Sequence, residues 1–155
     1  MWAIFVLGAV LSWGAYVPVI HAGQKAIGRT VGQNSPALWA FAFVGLAYFL
    51  VAVIVPFGLL AAKEHLSPRP DAAGMGVATL AGALGAVGAL CVILALMNGG
   101  SPIYVAPLVF AGAPLVATLV SMLMHRPEKP ISPLFFVGIV IAAVGAGLVL
   151  RFKPA

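Results

Sequence analysis

The stretch Trp13–Lys25, WGAYVPVIHAGQK, places aromatic, imidazole, amide and ammonium groups in the second half of an apolar run that begins at Trp2. No acidic residue lies in this run to neutralise its cations. Apolar runs of about 20 residues are typical of membrane-spanning helices. We therefore take this stretch as the element around which the other apolar runs pack.

The composition indicates a protein surrounded by lipid. The chain has 155 residues, of which 63% are hydrophobic and 7% are charged, and its mean hydropathy is +1.16. A soluble domain carries roughly 25% charged residues, so this chain has too few to cover a surface that faces water. We read the net charge of +5 as cations that anchor helix ends to lipid headgroups, with no role in nucleic-acid binding.

Five apolar runs are each long enough to cross a membrane. They predict helices at approximately 2–28, 36–62, 74–97, 102–124 and 133–152. The strands of a membrane barrel need alternating polarity over about ten residues, and these runs lack it. The sequence therefore predicts an all-α membrane protein, a five-helix transmembrane bundle that forms a single domain over residues 1–155.

Serine, proline and glycine mark the predicted helix ends. Serine–proline pairs at 35–36, 101–102 and 132–133 predict N-caps, each followed by a proline at the first helical position. Asp71 predicts the cap of the third helix, and Asn98-Gly99-Gly100 predicts its end, since glycine accepts the left-handed conformation. The link of about four residues to the fourth helix predicts a tight antiparallel hairpin.

Small residues four apart predict close helix–helix contact, within the chain or between chains, in the third and fifth helices. They are Ala81, Gly85 and Ala89 in the third helix, and Gly138, Ala142, Ala143 and Gly147 in the fifth. The second helix is instead bulky and aromatic, and we expect it at the periphery. We expect the single cysteine, Cys91, to be a small buried packing residue.

Lysine and arginine are divided evenly between the two sides of a five-span chain. Lys63, Arg69, Arg126 and Lys129 belong to one side, and Lys25, Arg29, Arg151 and Lys153 to the other. Because orientation follows an excess of cations in cytoplasmic loops, two alternatives stay open. In the first, the chain inserts in both orientations and two copies pair as an antiparallel homodimer. This dimer is a ten-helix inverted repeat with its substrate site at the midplane. Alternatively, the chain has one orientation, set for instance by Lys25 lying at membrane depth.

Several of these segments resemble the drug/metabolite transporter superfamily, EamA-like branch. Trp13-Gly14 resembles the Trp-Gly signature of that family's first helix, and Tyr16-Val17-Pro18 is similar to the same helix of its sugar-uptake members. The short hairpin and VAPLVFAGAPLVATLVSMLM resemble its fourth helix, with Pro114 at the usual mid-helix proline. The chain then runs through Glu128, Ile131 and Ser132 into a glycine-rich fifth helix, as family repeats do.

The resemblance covers most of the chain as one five-helix repeat, whereas typical members carry two fused repeats. It implies half of a ten-helix transporter, completed by a second copy or by a paralogous half, and we expect it in a bacterial inner (plasma) membrane. The family's Gly-Glu pair after the fourth helix is replaced by Arg126-Pro127-Glu128. A four-helix relative, the small multidrug resistance type, uses a glutamate in its first helix, and no acid lies in an apolar run here.

The candidate substrate-binding residues centre on the first helix. At 100° per residue, Trp13, Tyr16, Ile20 and Gln24 share one stripe, and His21 and Lys25 form the adjacent one. Aromatic faces and hydrogen-bond donors suit a small polar solute. The alternatives are packing for the aromatic residues, a solvated interfacial imidazole for His21, and an ammonium group that reaches the headgroups for Lys25. Asn98 and Tyr104 at the hairpin complete the candidate set, with Thr118 and Ser121 as secondary positions.

The predicted function is transport of a small polar metabolite by alternating access, as a dimer. The alternative is a non-transporting membrane subunit that scaffolds or regulates a larger complex. We do not expect an enzyme, because no carboxylate pair, Ser–His–Asp set or metal cluster can be assembled, with the few acids at membrane edges and His21, His65 and His125 in separate links. We expect no catalytic residue, no metal and no cofactor.

Overall fold

A computed structural model of the chain describes residues 2–32, 35–63, 67, 70–124 and 131–153. Within these residues the fold is all-helical, with no strand, which confirms the predicted fold class at that level. The helices are α1 (Trp2–Val31), α2 (Pro36–Phe49), a π-helical segment (Leu50–Ile54), α3 (Val55–Ala62), α4 (Ala72–Met97), α5 (Pro102–Met124) and α6 (Pro133–Arg151).

Five helices in the described part of the chain are long and apolar enough to cross a membrane, with α2, the π-helical segment and α3 forming one continuous span, Pro36–Ala62. Their large apolar side chains are mostly exposed, as expected of an integral membrane protein. The second and fourth spans have the predicted bounds, α4 begins two residues earlier, at Ala72, and α6 ends one residue earlier, at Arg151. The largest difference is in α1, which continues to Val31 and ends where Gly32 adopts a φ of +70°.

This longer α1 corrects two sequence-based assignments. Lys25 and Arg29 were counted in a link between the first two helices, and His21 was placed in a link as well, but all three lie within α1. At 1.5 Å per residue the 30 residues of α1 extend about 45 Å, against a hydrocarbon core of about 30 Å. His65 and His125 lie outside the described residues.

Two compact units divide the chain by its contacts. The terminal unit combines Met1–Val17 with Gly99–Ala155, and the internal unit is Pro18–Asn98, so the division falls within α1 and at the link after α4. In the terminal unit α5 packs against α6, and in the internal unit α2 packs against α4. The prediction of a single domain over the whole chain stays a prediction.

The core of the internal unit is a short stripe of α4 against small residues of α2. Ala89, Val92, Ile93 and Leu96 are buried at the i, i+3, i+4, i+7 spacing of one helix face. Ala37 and Ala40 are the buried residues of α2. Small side chains at such a contact let two backbones approach closely, where dispersion holds the helices together.

Most of the predicted small-residue faces are open in the described chain. Of the set on α4 only Ala89 is buried, while Ala81 and Gly85 are exposed. The four small residues of the α6 set are exposed too. The prediction that Cys91 is buried is wrong, because its position on α4 is turned away from the Ala89–Leu96 stripe and the residue is exposed.

Polar caps close several helix ends as predicted. Asp71 Oδ2 accepts a hydrogen bond from the Gly74 backbone N–H at 3.2 Å, and Ser132 Oγ accepts one from the Leu134 N–H at 3.3 Å. Met97 is the last residue of α4, and Gly99 follows with a φ of +89°. Ser35 departs from the prediction, since its side chain makes no capping bond.

Asp71→Ala is expected to lower the free energy of unfolding by about 1 kcal/mol, the usual contribution of an N-cap side chain. Asp71→Asn is the matched control, because the amide oxygen can still accept the hydrogen bond of the Gly74 N–H. Both variants are compared with the parent by unfolding in mixed SDS–detergent micelles. Equal losses for the two variants would show that this end of α4 is held by something other than the cap.

Prolines within the helices are accommodated in two ways. α1 is continuous through Pro18, and α5 through Pro107 and Pro114. Before Pro56 the span instead widens into the π-helical segment, where the Val55 N–H bonds the carbonyl five residues earlier, that of Leu50. A proline clashes with the carbonyl four residues before it, so a wider turn at this place relieves the clash.

Candidate solute pocket

A pocket of about 240 Å³ lies in the internal unit. It is formed by the C-terminal part of α1, the first turn of α2 and the last turn of α4. Its lining residues are His21, Gln24, Lys25, Gly28, Gly32, Pro36, Ala37, Leu96 and Met97. The four residues from α1, His21, Gln24, Lys25 and Gly28, recur at i, i+3, i+4 and i+7, which places them on one helix face, and Gly32 follows the end of the helix. This face is the continuation of the Trp13–Lys25 stretch.

Gln24 attaches this face of α1 to α4. The side chain is only 8% exposed, and its Nε2 group donates a hydrogen bond to the Ile93 backbone carbonyl at 3.0 Å. A buried amide needs such a partner, because leaving it unpaired in an apolar environment costs several kcal/mol. The bond sets Gln24 level with Ile93, which lies four residues, about 6 Å, before the end of α4. The pocket therefore lies near one end of these helices.

His21 and Lys25 lie on either side of Gln24 along the chain. His21 is half-buried, and its Nδ1 atom is buried with no hydrogen-bond partner among the described residues. Lys25 is exposed and lines the pocket. No acidic residue is present among the described residues that line the pocket. The described acid of the internal unit, Asp71, caps the opposite end of α4.

The first turn of α2 supplies backbone groups to the pocket wall. Pro36 and Ala37 line the pocket as the first two residues of the helix. Proline has no N–H, and the N–H groups that follow have no acceptor within the helix itself. The Ser35 side chain does not cap them. The positive end of the α2 dipole consequently faces this region of the pocket.

Two glycines shape the turn that closes the pocket. A Cβ atom at Gly28 would lie 3.8 Å from the Cβ and Cγ atoms of Pro36, an ordinary contact distance, so α1 and the start of α2 run side by side here. Gly32 has a φ of +70°, a conformation that other residues rarely adopt, and its N–H bonds the Gly28 carbonyl at 3.1 Å.

The predicted aromatic residues Trp13 and Tyr16 belong to the terminal unit and are not among the described lining residues of this pocket. Their ring centroids are 5.7 Å apart, and the Trp13 ring meets Phe110 of α5 edge-on at 6.3 Å. This geometry is typical of packed aromatic pairs. A role for either residue in solute binding stays a prediction.

Asn98 and Tyr104 bond to the backbone near the link after α4. Asn98 Nδ2 donates to the Leu94 carbonyl at 2.9 Å, within the internal unit. In the terminal unit the Tyr104 hydroxyl donates to the Gly99 carbonyl at 2.9 Å, and the Lys153 ammonium lies 5.2 Å from the Tyr104 ring centroid. These contacts stabilise the chain locally. Thr118 is half-buried and Ser121 is exposed.

Sequence reasoning predicted the three polar residues of the pocket and missed its apolar wall. Gly28, Gly32, Pro36, Ala37, Leu96 and Met97 were not proposed as site residues. The available signal was the helical spacing that puts Gly28 on the face of His21 and Lys25. The contribution of α4 carries no such signal, because it depends on which helix packs against Gln24.

Comparisons of the chain with models of protein families, with curated proteins and with solved structures found no match. The helices and the pocket are therefore the features from which function is inferred. Among the described residues no group of three His, Cys, Asp or Glu side chains could hold a metal ion.

Proposed function

We propose that this chain is one half of a membrane transporter that moves a small polar metabolite by alternating access as a dimer. The observation that carries the proposal is the pocket, where His21, Gln24 and Lys25 of one apolar helix line the same cavity. Ionisable side chains within membrane-spanning helices are costly and usually mark a solute or ion pathway.

The size of the pocket supports a small solute. Its volume of about 240 Å³ corresponds to roughly eight water molecules at about 30 Å³ each. Pockets for drug-sized ligands are larger, about 300–1,000 Å³. The position near the helix ends suits a place where a solute first enters from water, on the way to a deeper site of the kind that inverted-repeat transporters hold at the midplane.

The open small-residue faces support the dimer. Nothing lies within 4 Å of a Cβ atom built at Gly82, Gly85 or Gly88 of α4. Faces of this composition associate closely in membranes, and in the described chain no other helix covers them. A second copy of the chain is the partner we propose, in either relative orientation. An all-helical chain suits the bacterial inner membrane, since outer-membrane proteins are β-barrels.

The test of the proposal is flux through liposomes that contain the full chain. Vesicles are loaded with labelled sorbitol, gluconate and alanine, which are neutral, anionic and zwitterionic. Gly28→Leu extends a side chain beyond Pro36 into the pocket, and it is expected to reduce the flux of the transported solute about tenfold or more. Gly23→Leu is the matched control, because its Cβ position on the same helix is open and does not line the pocket.

Equal flux in Gly28→Leu and Gly23→Leu would show that the pocket is not part of the transport route. Flux of all three solutes no faster than in protein-free vesicles would count against a transporter and favour a subunit of a larger complex. Both variants are checked for folding by size-exclusion chromatography before flux is compared.

A further inference from the structure

We propose that the pocket is selective for an anion, a carboxylate or phosphate group held by Lys25. As a statement about the transported solute, this rests on the proposed function. As a statement about binding, it rests on the charges that line the pocket. Among the lining residues that the structure describes, Lys25 is the one with a permanent charge.

The described lining residues of the pocket include no carboxylate that could neutralise the Lys25 ammonium group. The chain has three acidic residues in all, and eight lysines and arginines. Asp71 is engaged with the Gly74 N–H at the far end of α4, a helix of 26 residues and about 39 Å. An ammonium group beside apolar walls such as Leu96 and Met97 attracts an anion more strongly than it would in water, because the effective dielectric constant is lower.

The other polar groups of the pocket suit the oxygens of the same anion. The first turn of α2 presents the positive end of a helix dipole, which stabilises negative charge. The Gln24 amide keeps a second N–H after donating one to the Ile93 carbonyl. The His21 imidazole adds a ring nitrogen with no hydrogen-bond partner among the described residues, which can donate to an anion when it carries a proton. To a cation, the described lining residues offer no carboxylate.

A pair of probes isolates the charge. Gluconate and sorbitol share one polyol chain, and gluconate carries a carboxylate in place of one terminal hydroxymethyl group. Binding is measured by calorimetry on the full chain in phosphatidylcholine nanodiscs. We expect gluconate to bind at least about tenfold more tightly than sorbitol, as a charge-assisted hydrogen bond provides. Lys25→Met is expected to abolish this preference and Lys25→Arg to keep most of it.

Lys153→Met is the control for loss of a cation elsewhere, since its ammonium group lies over the Tyr104 ring in the terminal unit. It is expected to leave the gluconate preference unchanged. Lys25→Gln serves as a second neutral variant if Lys25→Met fails to fold. A gluconate preference that survives in the neutral Lys25 variants overturns the proposal. The absence of a preference in the parent protein overturns it too, unless lipid retention depends on Lys25.

A second experiment tests whether the anion is the phosphate of a lipid headgroup. Nanodiscs containing phosphatidylglycerol are compared by native mass spectrometry for lipid retained on the parent and on Lys25→Met. Retention that depends on Lys25, without gluconate binding, supports the anion site and assigns it to a lipid phosphate. Retention equal in the two proteins, again without gluconate binding, overturns it.

The liposome experiment separates this inference from the proposed transport. Gluconate binding that depends on Lys25, with no flux of any solute, would support the anion site and contradict the proposed transport. Flux of sorbitol that Gly28→Leu blocks, without a gluconate preference and without lipid retention that depends on Lys25, would support the transporter and contradict the anion site.

Discussion

Ala89→Leu is expected to lower the free energy of unfolding of the internal unit by about 2–3 kcal/mol, the upper part of the range for overpacking. Ala89 is 2% exposed, and it lies on the α4 stripe that packs against α2. The three additional carbons of leucine have no room there unless the two helices separate. Separation would also remove the close van der Waals contact between the helices. In lipid this contact holds helices together, because the hydrophobic effect does not drive their association.

The measurement is SDS-induced unfolding of the full chain in mixed micelles, followed by far-ultraviolet circular dichroism. Ala78→Leu is the matched control, since it lies eleven residues earlier, on nearly the same face of α4, and is exposed. It is expected to change stability by about 0.5 kcal/mol or less. A loss as large in Ala78→Leu as in Ala89→Leu would show that the α2–α4 contact is not where the stability resides.

Gly85→Ile is expected to weaken the proposed dimer about tenfold to a hundredfold while the fold of the single chain is preserved. Gly85 belongs to the same α4 series as Ala89, one helical turn earlier, but a Cβ atom there would meet nothing within 4 Å. A branched side chain on this open face keeps a second copy from approaching closely. Dissociation is followed by Förster transfer between labelled chains as the lipid is diluted into the liposomes.

Gly76→Ile provides the control for this prediction. It makes the same substitution in the same helix, nine residues earlier and therefore on the opposite face, and its Cβ position is also open. Its dissociation constant is expected to equal that of the parent. A parent chain that shows no transfer at any lipid dilution would be a monomer, and the half-transporter proposal would fail with the dimer.

The sequence predicts the spans well because each helix is marked by local chemistry. Apolar length indicates where a chain crosses the membrane, and Asp71 and Ser132 cap their helices with their own side chains. The predicted end of α1, at about residue 28, is three residues too early, because the polar residues from Gln24 to Thr30 resemble a link. Polarity alone does not end a helix, and here the left-handed conformation of Gly32 does.

The pocket was predictable only on the side of α1. The polar residues of an apolar run stand out in the sequence, and here they are His21, Gln24 and Lys25. Such residues are costly to place in hydrocarbon and usually have a function. Leu96 and Met97 are ordinary apolar residues in sequence, and they become lining residues through the contact between Gln24 and Ile93. The aromatic pair of Trp13 and Tyr16 has the composition of a binding surface, yet the structure shows it packed with Phe110. Helical periodicity predicts which residues share a face, but it does not identify the helix that packs against that face.

The wide turn before Pro56 changes the direction in which the two halves of the second span point their side chains. Trp39 and Phe57 are eighteen residues apart, so an uninterrupted α-helix of 3.6 residues per turn would align them along one line. A π turn takes up one additional residue, which rotates everything after it by about 100° relative to what comes before. Both rings are at least half exposed. The two aromatic side chains of this span therefore face lipid in different directions and at different depths.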